Sequence, residues 1–237
     1  MNILALDSSG GVASLAVMCD GRIIGEYSID HKLTHSQTLM PMLDELKSRI
    51  EYEPAKTDII AVAAGPGSFT GLRIGAAAAK GMAFALGCDI MPVPTLDGLA
   101  YRFWGYKGII CPLMDARRAQ VYSGVYTFEK DVFKTLYEGE ALALEEQLKR
   151  LADIEGNVMF LGDGVDVHAG RLKESLKDRC IIAPAHLRYQ SAAAVAVRAE
   201  EMLAQGIKAT PSEDFAPEYL RRSQAERERE ERLAAES

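Results

Sequence analysis

The chain has 237 residues, 48% of them hydrophobic and 26% charged, with a formal net charge of −7. This is ordinary globular composition, enough for one large domain or two lobes of about 100–120 residues, each with its own core. The acidic balance and the lack of a basic stripe exclude a chain that holds nucleic acid through its phosphates.

From the N-terminus, MNILALDSSG has no basic region and meets Asp7 early, which excludes a signal peptide. Residues 3–7 are a short apolar run ending in the turn Ser8-Ser9-Gly10-Gly11. Strands are predicted over 12–18 and 22–29, joined by Asp20-Gly21, a strong hairpin signal. A helix is expected from Thr34 to about Ile50, with Thr34 and Gln37 forming a capping box. Leu39, Leu43, Leu46 and Ile50 make one apolar stripe on it, widened by Met40 and Met42. Pro41 removes a backbone bond, so a kink or a later start is expected. Residues 58–64 read as a strand that runs into Gly65-Pro66-Gly67-Ser68-Phe69-Thr70-Gly71, and a second helix reaches about Gly87.

That second helix carries two distinct sides. Gly71, Gly75, Ala79 and Ala83 recur every four residues, so a neighbouring helix is expected to approach closely there. The opposite side carries Arg73, Ala76, Ala77, Lys80 and Phe84, and residues 71–87 contain no acidic residue. A solvated face should be richer in charge. Together with Leu39, Met40 and Met42 of the first helix, this side is expected to form a partner interface. The same stretch is too short and too charged for a membrane span.

The second half repeats the plan. Residues 109–115 form an apolar strand ending in Asp115, followed by a turn and a strand over 120–128, as around Asp7. Residues 158–161 then run into Gly162-Asp163-Gly164 and a helix, as around Gly65. Two matched landmarks in the same order point to an internal duplication of a βββαβα lobe. That is the α/β actin, sugar-kinase and Hsp70 architecture. We expect a first lobe over 1–103 bearing the partner-binding helices and a second over 104–220 whose last helix packs back on the first. Residues 221–237, RRSQAEREREERLAAES, alternate charges at helical spacing and are expected to be a solvated tail.

In this architecture ATP binds between the lobes, cradled by two hairpins, with an aspartate beside each to orient magnesium. Asp7 and Ser8 mark the first hairpin; Asp115, Gly162 and Gly164 mark the second lobe's contribution. The turn Asp115-Ala116-Arg117-Arg118-Ala119-Gln120 has no glycine, so two bulky side chains are expected where amides should meet an anion. Asp163 adds a like charge toward any phosphate. The reading is a degenerate nucleotide cleft. His31 and His35 have metal-binding spacing, but no third ligand is near and His31 precedes the helix, so a helix-entry pair is expected. His168 and His186 stand alone. The 65–73 stretch is neither a Walker loop nor a nucleophile elbow; an anion-binding helix start and a capped tight turn both fit it. Cys19, Cys88, Cys111 and Cys180 are far apart and form no C-x-x-C, as in a reducing compartment. A cytoplasmic location follows.

These motifs resemble a known family. Ile3-Leu4-Ala5-Leu6-Asp7-Ser8-Ser9, His35-Ser36-Gln37, and Gly65-Pro66-Gly67-Ser68-Phe69-Thr70-Gly71-Leu72-Arg73-Ile74-Gly75 closely resemble the TsaB (YeaZ) family. So do Asp115-Ala116-Arg117 with Val121-Tyr122, Gly162-Asp163-Gly164, and Pro217-Glu218-Tyr219-Leu220-Arg221. The resemblance implies an actin-like fold and a heterodimer with TsaD, the paralogue that carries the metal and transfers a threonylcarbamoyl group. The target is the adenosine beside the anticodon of tRNA, and the ATPase TsaE joins the complex. TsaD carries His-x-x-x-His on the helix after its GPG helix, whereas residues 95–103 here contain no histidine. The resemblance therefore implies a non-catalytic subunit with no metal or cofactor of its own, meeting tRNA only through the complex. A homodimer of the isolated chain, and a nucleotide at the joint with TsaD, stay open. The rival readings are a small-metabolite kinase or a metalloprotease of the same fold, and a dimeric scaffold unrelated to tRNA.

Overall fold

The structure, a computed structural model, describes residues 1–31, 34–117 and 119–220. The charged tail at 221–237 and Arg118 lie outside the described residues. The first half runs β1 (Asn2–Asp7), β2 (Val12–Cys19), β3 (Arg22–Asp30), α1 (His35–Arg49), β4 (Ile59–Gly65), α2 (Phe69–Leu86), β5 (Asp89–Pro94) and α3 (Thr95–Tyr101). The second half runs β6 (Ile109–Asp115), β7 (Gln120–Glu129), β8 (Val132–Ala143), α4 (Leu144–Ala152), β9 (Val158–Leu161), α5 (Gly164–Leu176), β10 (Cys180–Ile182), α6 (Ala185–Arg188) and α7 (Ala192–Ala204).

The duplication is plain in the topology. One five-stranded sheet has the order β3-β2-β1-β4-β5 and the other, read from its β8 edge, β8-β7-β6-β9-β10. In each, the first three strands are antiparallel neighbours and the remaining pairs are parallel. The hairpin signal at Asp20-Gly21 is used as expected, with Asp20 at φ 47° and Gly21 at φ 74°. The expected βββαβα lobe is present twice, giving the actin-like α/β architecture.

The lobes trade helices. Ala192, Val195, Ala196 and Ala199 of α7 pack on Ile3, Ala5 and Ala16 of the first sheet. In return, Leu96 and Leu99 of α3 pack with Ile110, Met114 and Tyr126 of the second. An ion pair from Arg198 to Asp97, at 3.0 Å, ties α7 to α3. After α7 the chain crosses the first lobe as a strap. Thr210 bridges Ile90 through paired backbone bonds of 2.8 and 2.7 Å, and Phe215 is buried in the core that α1, α2 and the sheet enclose.

Three local expectations are corrected. The capping box does not form: Thr34 makes no side-chain cap bond, and its hydroxyl lies 3.2 Å from that of Ser36. The helix starts at His35 and runs through Pro41; burial of Leu39, Met42, Leu43 and Leu46 outweighs one missing backbone bond. The glycine half of the small-residue stripe of α2 meets the turn after β1, while Ala79 and Ala83 share a core with α1. A Cβ on Gly71 would lie 2.0 Å from the Ser8 carbonyl oxygen, and one on Gly75 would lie 2.5 Å from Ser8 Oγ. Among the described residues no helix is long and apolar enough to cross a membrane.

Candidate functional site

Between the lobes lies a cleft of about 440 Å³, lined by the first hairpin, the start of α2, the Asp115 hairpin, Asp163 and the strap residues Glu218, Tyr219 and Leu220. Asp7 is buried, and its Oδ1 accepts from the Ser9 N–H at 2.9 Å and the Ser9 hydroxyl at 2.6 Å. Burial pushes the Asp7 carboxyl above its ordinary range, and the Ser9 hydrogen bonds oppose that rise. Ser8 does not face the cleft: its hydroxyl is buried and donates to the Gly71 carbonyl at 2.9 Å. The Ser9 carbonyl accepts the Ser68 N–H at 2.7 Å. The first hairpin is thus clamped to the start of α2.

The glycines of the 65–75 motif explain that clamp. Gly65 sits at φ 127°, a conformation side-chain-bearing residues rarely adopt. A Cβ there would meet the Glu218 carbonyl at 2.1 Å, and one on Gly67 would meet the Ser9 carbonyl at 2.4 Å. Ser68 caps α2, its Oγ accepting the Gly71 N–H at 3.3 Å. Of the two readings left open by the sequence, the structure displays the capped turn. The glycines make room for carbonyl oxygens of the same chain.

The Asp115 hairpin is also turned inward. Asp115 Oδ1 accepts the Arg117 N–H at 2.8 Å, while Asp163 Oδ1 accepts the Asp115 N–H at 3.2 Å. Burial raises the Asp163 carboxyl, and the neighbouring Asp115 charge adds to the rise. The expectation for Arg117 is corrected in detail. Its side chain is 89% exposed and does not fill the hairpin; the hairpin's amide is withheld because Asp115 already binds it. Gly162 and Gly164 each lie against the Leu113 carbonyl, where a Cβ would approach within 2.3 and 2.8 Å. Two further neighbours of this region were not among the expected site residues. Gln190, from the connection before α7, is buried with its amide against Gly10, and the strap forms one wall.

The histidine pair separates. His35 Nε2 lies 2.8 Å from the Gly10 carbonyl, pinning the first hairpin to α1, while His31 stands at a bend after β3. Among the described residues, no group of three or more His, Cys, Asp or Glu is arranged to hold a metal ion. Within residues 95–103, Thr95 Oγ1 accepts the Gly65 N–H at 3.2 Å, a packing role.

The proposed interface residues divide. Leu39, Met42 and Ala76 are buried in their own lobe, so their side chains are not available to a partner. The sequence stripe hid this, because both sides of an apolar helix look alike until the sheet takes one. Lys80 is spent on the strap, its ammonium donating to the carbonyls of Glu213 at 3.1 Å and Phe215 at 3.0 Å. Arg73 and Ala77 are exposed, Met40 is exposed, and Phe84 is 83% exposed. Phe69, at the start of α2, packs on strap residue Tyr219 with ring centroids 4.7 Å apart.

Sequence comparison places this architecture. The family described as TsaD, tRNA N6-adenosine threonylcarbamoyltransferase, matches residues 29–229. The tRNA threonylcarbamoyladenosine biosynthesis protein TsaB of Bacillus subtilis is 31% identical over 226 residues, 95% of this chain and 96% of the relative. The chain belongs to the TsaB family. YeaZ from Pseudomonas aeruginosa superposes with a TM-score of 0.76 at 26% identity, covering 92% of this chain and 99% of that one. Component A of (R)-2-hydroxyglutaryl-CoA dehydratase from Acidaminococcus fermentans shares the fold alone, with a TM-score of 0.50 at 10% identity, over 86% of this chain and 99% of that one.

Proposed function

We propose that this chain is the non-catalytic partner of TsaD in forming threonylcarbamoyladenosine beside the anticodon of tRNA. It acts in the cytoplasm as one half of a heterodimer, with TsaE joining the assembly and tRNA reached only through the complex. The observation that carries this reading is the outer side of α2. It bears no acidic residue and presents Phe84, 83% exposed, next to Ala77. An isolated domain gains nothing from leaving such a ring in water; docking it contributes roughly 1.5–3 kcal/mol. The cleft supports the same reading, since the Ser9, Ser68 and Arg117 amides that line it are engaged within the chain.

The test is reconstitution. Threonylcarbamoyl adenylate and tRNA should give no modified tRNA with this chain alone, and modification with TsaD should require it. Phe84→Asp and Ala77→Glu should keep the wild-type circular dichroism and melting while lowering TsaD affinity at least tenfold. Product formed without TsaD overturns the non-catalytic assignment. Wild-type TsaD affinity in both variants removes the interface from this side of α2.

A further inference from the structure

At one end of the exposed side of α2, Arg73 is held in an unusual setting. Its guanidinium carbon lies 3.9 Å from the centre of the Phe69 ring. Phe69 packs in turn on Tyr219, and the Arg73 Nε–H donates to the Tyr219 hydroxyl at 3.4 Å. A stacked guanidinium is immobilised before any partner arrives, which lowers the entropy lost on binding. Yet among the described residues no carboxylate pairs with Arg73, and α2 itself has none to offer. The other cation of this side, Lys80, already binds strap carbonyls. Arg73 is therefore a positioned charge with open donors.

We propose that Arg73 is the polar anchor of the interface and receives a carboxylate from a partner chain of a different kind. The inference rests on the reading that TsaD docks on this side of α2. A second copy of this chain is a poor source of that carboxylate. In a two-fold arrangement through α2, Arg73 would face a helix without acids. The two acids of α1 already face cations of their own helix, Asp44 with Lys47 at 2.6 Å and Glu45 with Arg49 at 3.7 Å. The strap thus has a task beyond packing, because Tyr219 and Phe69 fix the plane in which a carboxylate is met by two parallel N–H groups.

The experiment measures TsaD affinity by calorimetry for wild type, Arg73→Gln, Arg73→Lys and Phe84→Asp, at about 50 mM and about 500 mM salt. Arg73→Gln should weaken binding ten- to hundredfold at low salt and flatten the salt dependence. Arg73→Lys should lose several-fold affinity yet keep the salt slope, since charge survives and planar stacking does not. Circular dichroism should be unchanged in each. If Phe84→Asp abolishes binding while Arg73→Gln keeps both affinity and salt slope, the interface stands and the anchor is refuted. If neither variant changes binding, the interface itself fails, and the anchor with it. Self-association, followed by sedimentation, should not respond to Arg73→Gln; a parallel loss there would reassign the carboxylate to a second copy and overturn the proposal.

Discussion

Gly71 and Gly81 occupy the same helix, and replacing each by alanine should move stability in opposite directions. Both substitutions raise intrinsic helix propensity by about 1 kcal/mol, less near a terminus. At Gly81 nothing lies within 4 Å of the added methyl group, so the gain is retained. At Gly71 the methyl carbon would sit 2.0 Å from the Ser8 carbonyl oxygen and 3.4 Å from the His35 ring. The oxygen belongs to backbone, so α2 or the first hairpin must shift by more than an ångström. Overpacking of this kind costs about 1–3 kcal/mol. The shift also strains the Ser8 hydroxyl bond to the Gly71 carbonyl. For a protein of this size about 1 kcal/mol moves Tm by roughly 2–4 °C. Scanning calorimetry of the isolated protein should therefore show Gly81→Ala melting about 1–4 °C higher and Gly71→Ala about 2–12 °C lower. Stabilisation by both substitutions would refute the claim that the motif's glycines accommodate backbone, leaving an anion-binding role to explain them.

Calorimetric titration of the isolated protein with Mg-ATP should give weak binding or none; a low-micromolar dissociation constant with ATP between the lobes would restore the kinase reading. Asp7→Asn should stabilise the protein at pH 7, because asparagine Oδ1 can keep both Ser9 bonds without the buried charge. Since burial raises the Asp7 carboxyl, the stability that this group contributes is fully present below the unfolded value of about 4 and is lost as pH rises through the folded value. The advantage of Asp7→Asn in urea denaturation should thus vanish near pH 4 and grow upward from there. Phe215→Ala should cost about 3–5 kcal/mol if the strap is docked as described, with faster amide exchange at the Ile90–Thr210 bridge; unchanged exchange would show the strap held by other contacts.

Much of both sheets was legible because the signals are local. Asp20-Gly21 dictates a hairpin, and the apolar runs at 3–7, 58–64 and 109–115 bound their strands to within a residue or so. The repeated landmarks at Asp7 and Asp115 gave the duplication, which the matching sheet orders display. The fate of Met42 and Ala76 was not legible. Each sits on an apolar helix whose inward side is chosen by a sheet formed from distant residues. The capping box failed for a related reason: the Thr34 hydroxyl turns to Ser36 while the backbone of Thr34 accepts the Gln37 N–H at 2.9 Å. The strap escaped notice because its contacts, such as Lys80 with Phe215 and Gly65 with Glu218, span well over a hundred positions and leave no periodic trace.

The 65–75 motif shows why spelling and chemistry can part within one superfamily. Gly65 admits the Glu218 carbonyl, Gly67 the Ser9 carbonyl, Gly71 the Ser8 carbonyl and Gly75 the Ser8 hydroxyl. Each requirement is steric and internal to the lobe. Any relative that keeps the first hairpin clamped to α2 in this way needs the same glycines, whether or not it transfers a group. The motif is therefore strong evidence for the packing and weak evidence for a reaction. Evidence for what the lobe does must come from groups that packing leaves unused. On α2 these are the ring of Phe84, the methyl of Ala77 and the stacked guanidinium of Arg73, which share one exposed side of the helix. In this chain both hairpins are tied inward by Asp7 and Asp115, and the groups that packing leaves unused lie on an outer surface, which is where a partner chain can reach them.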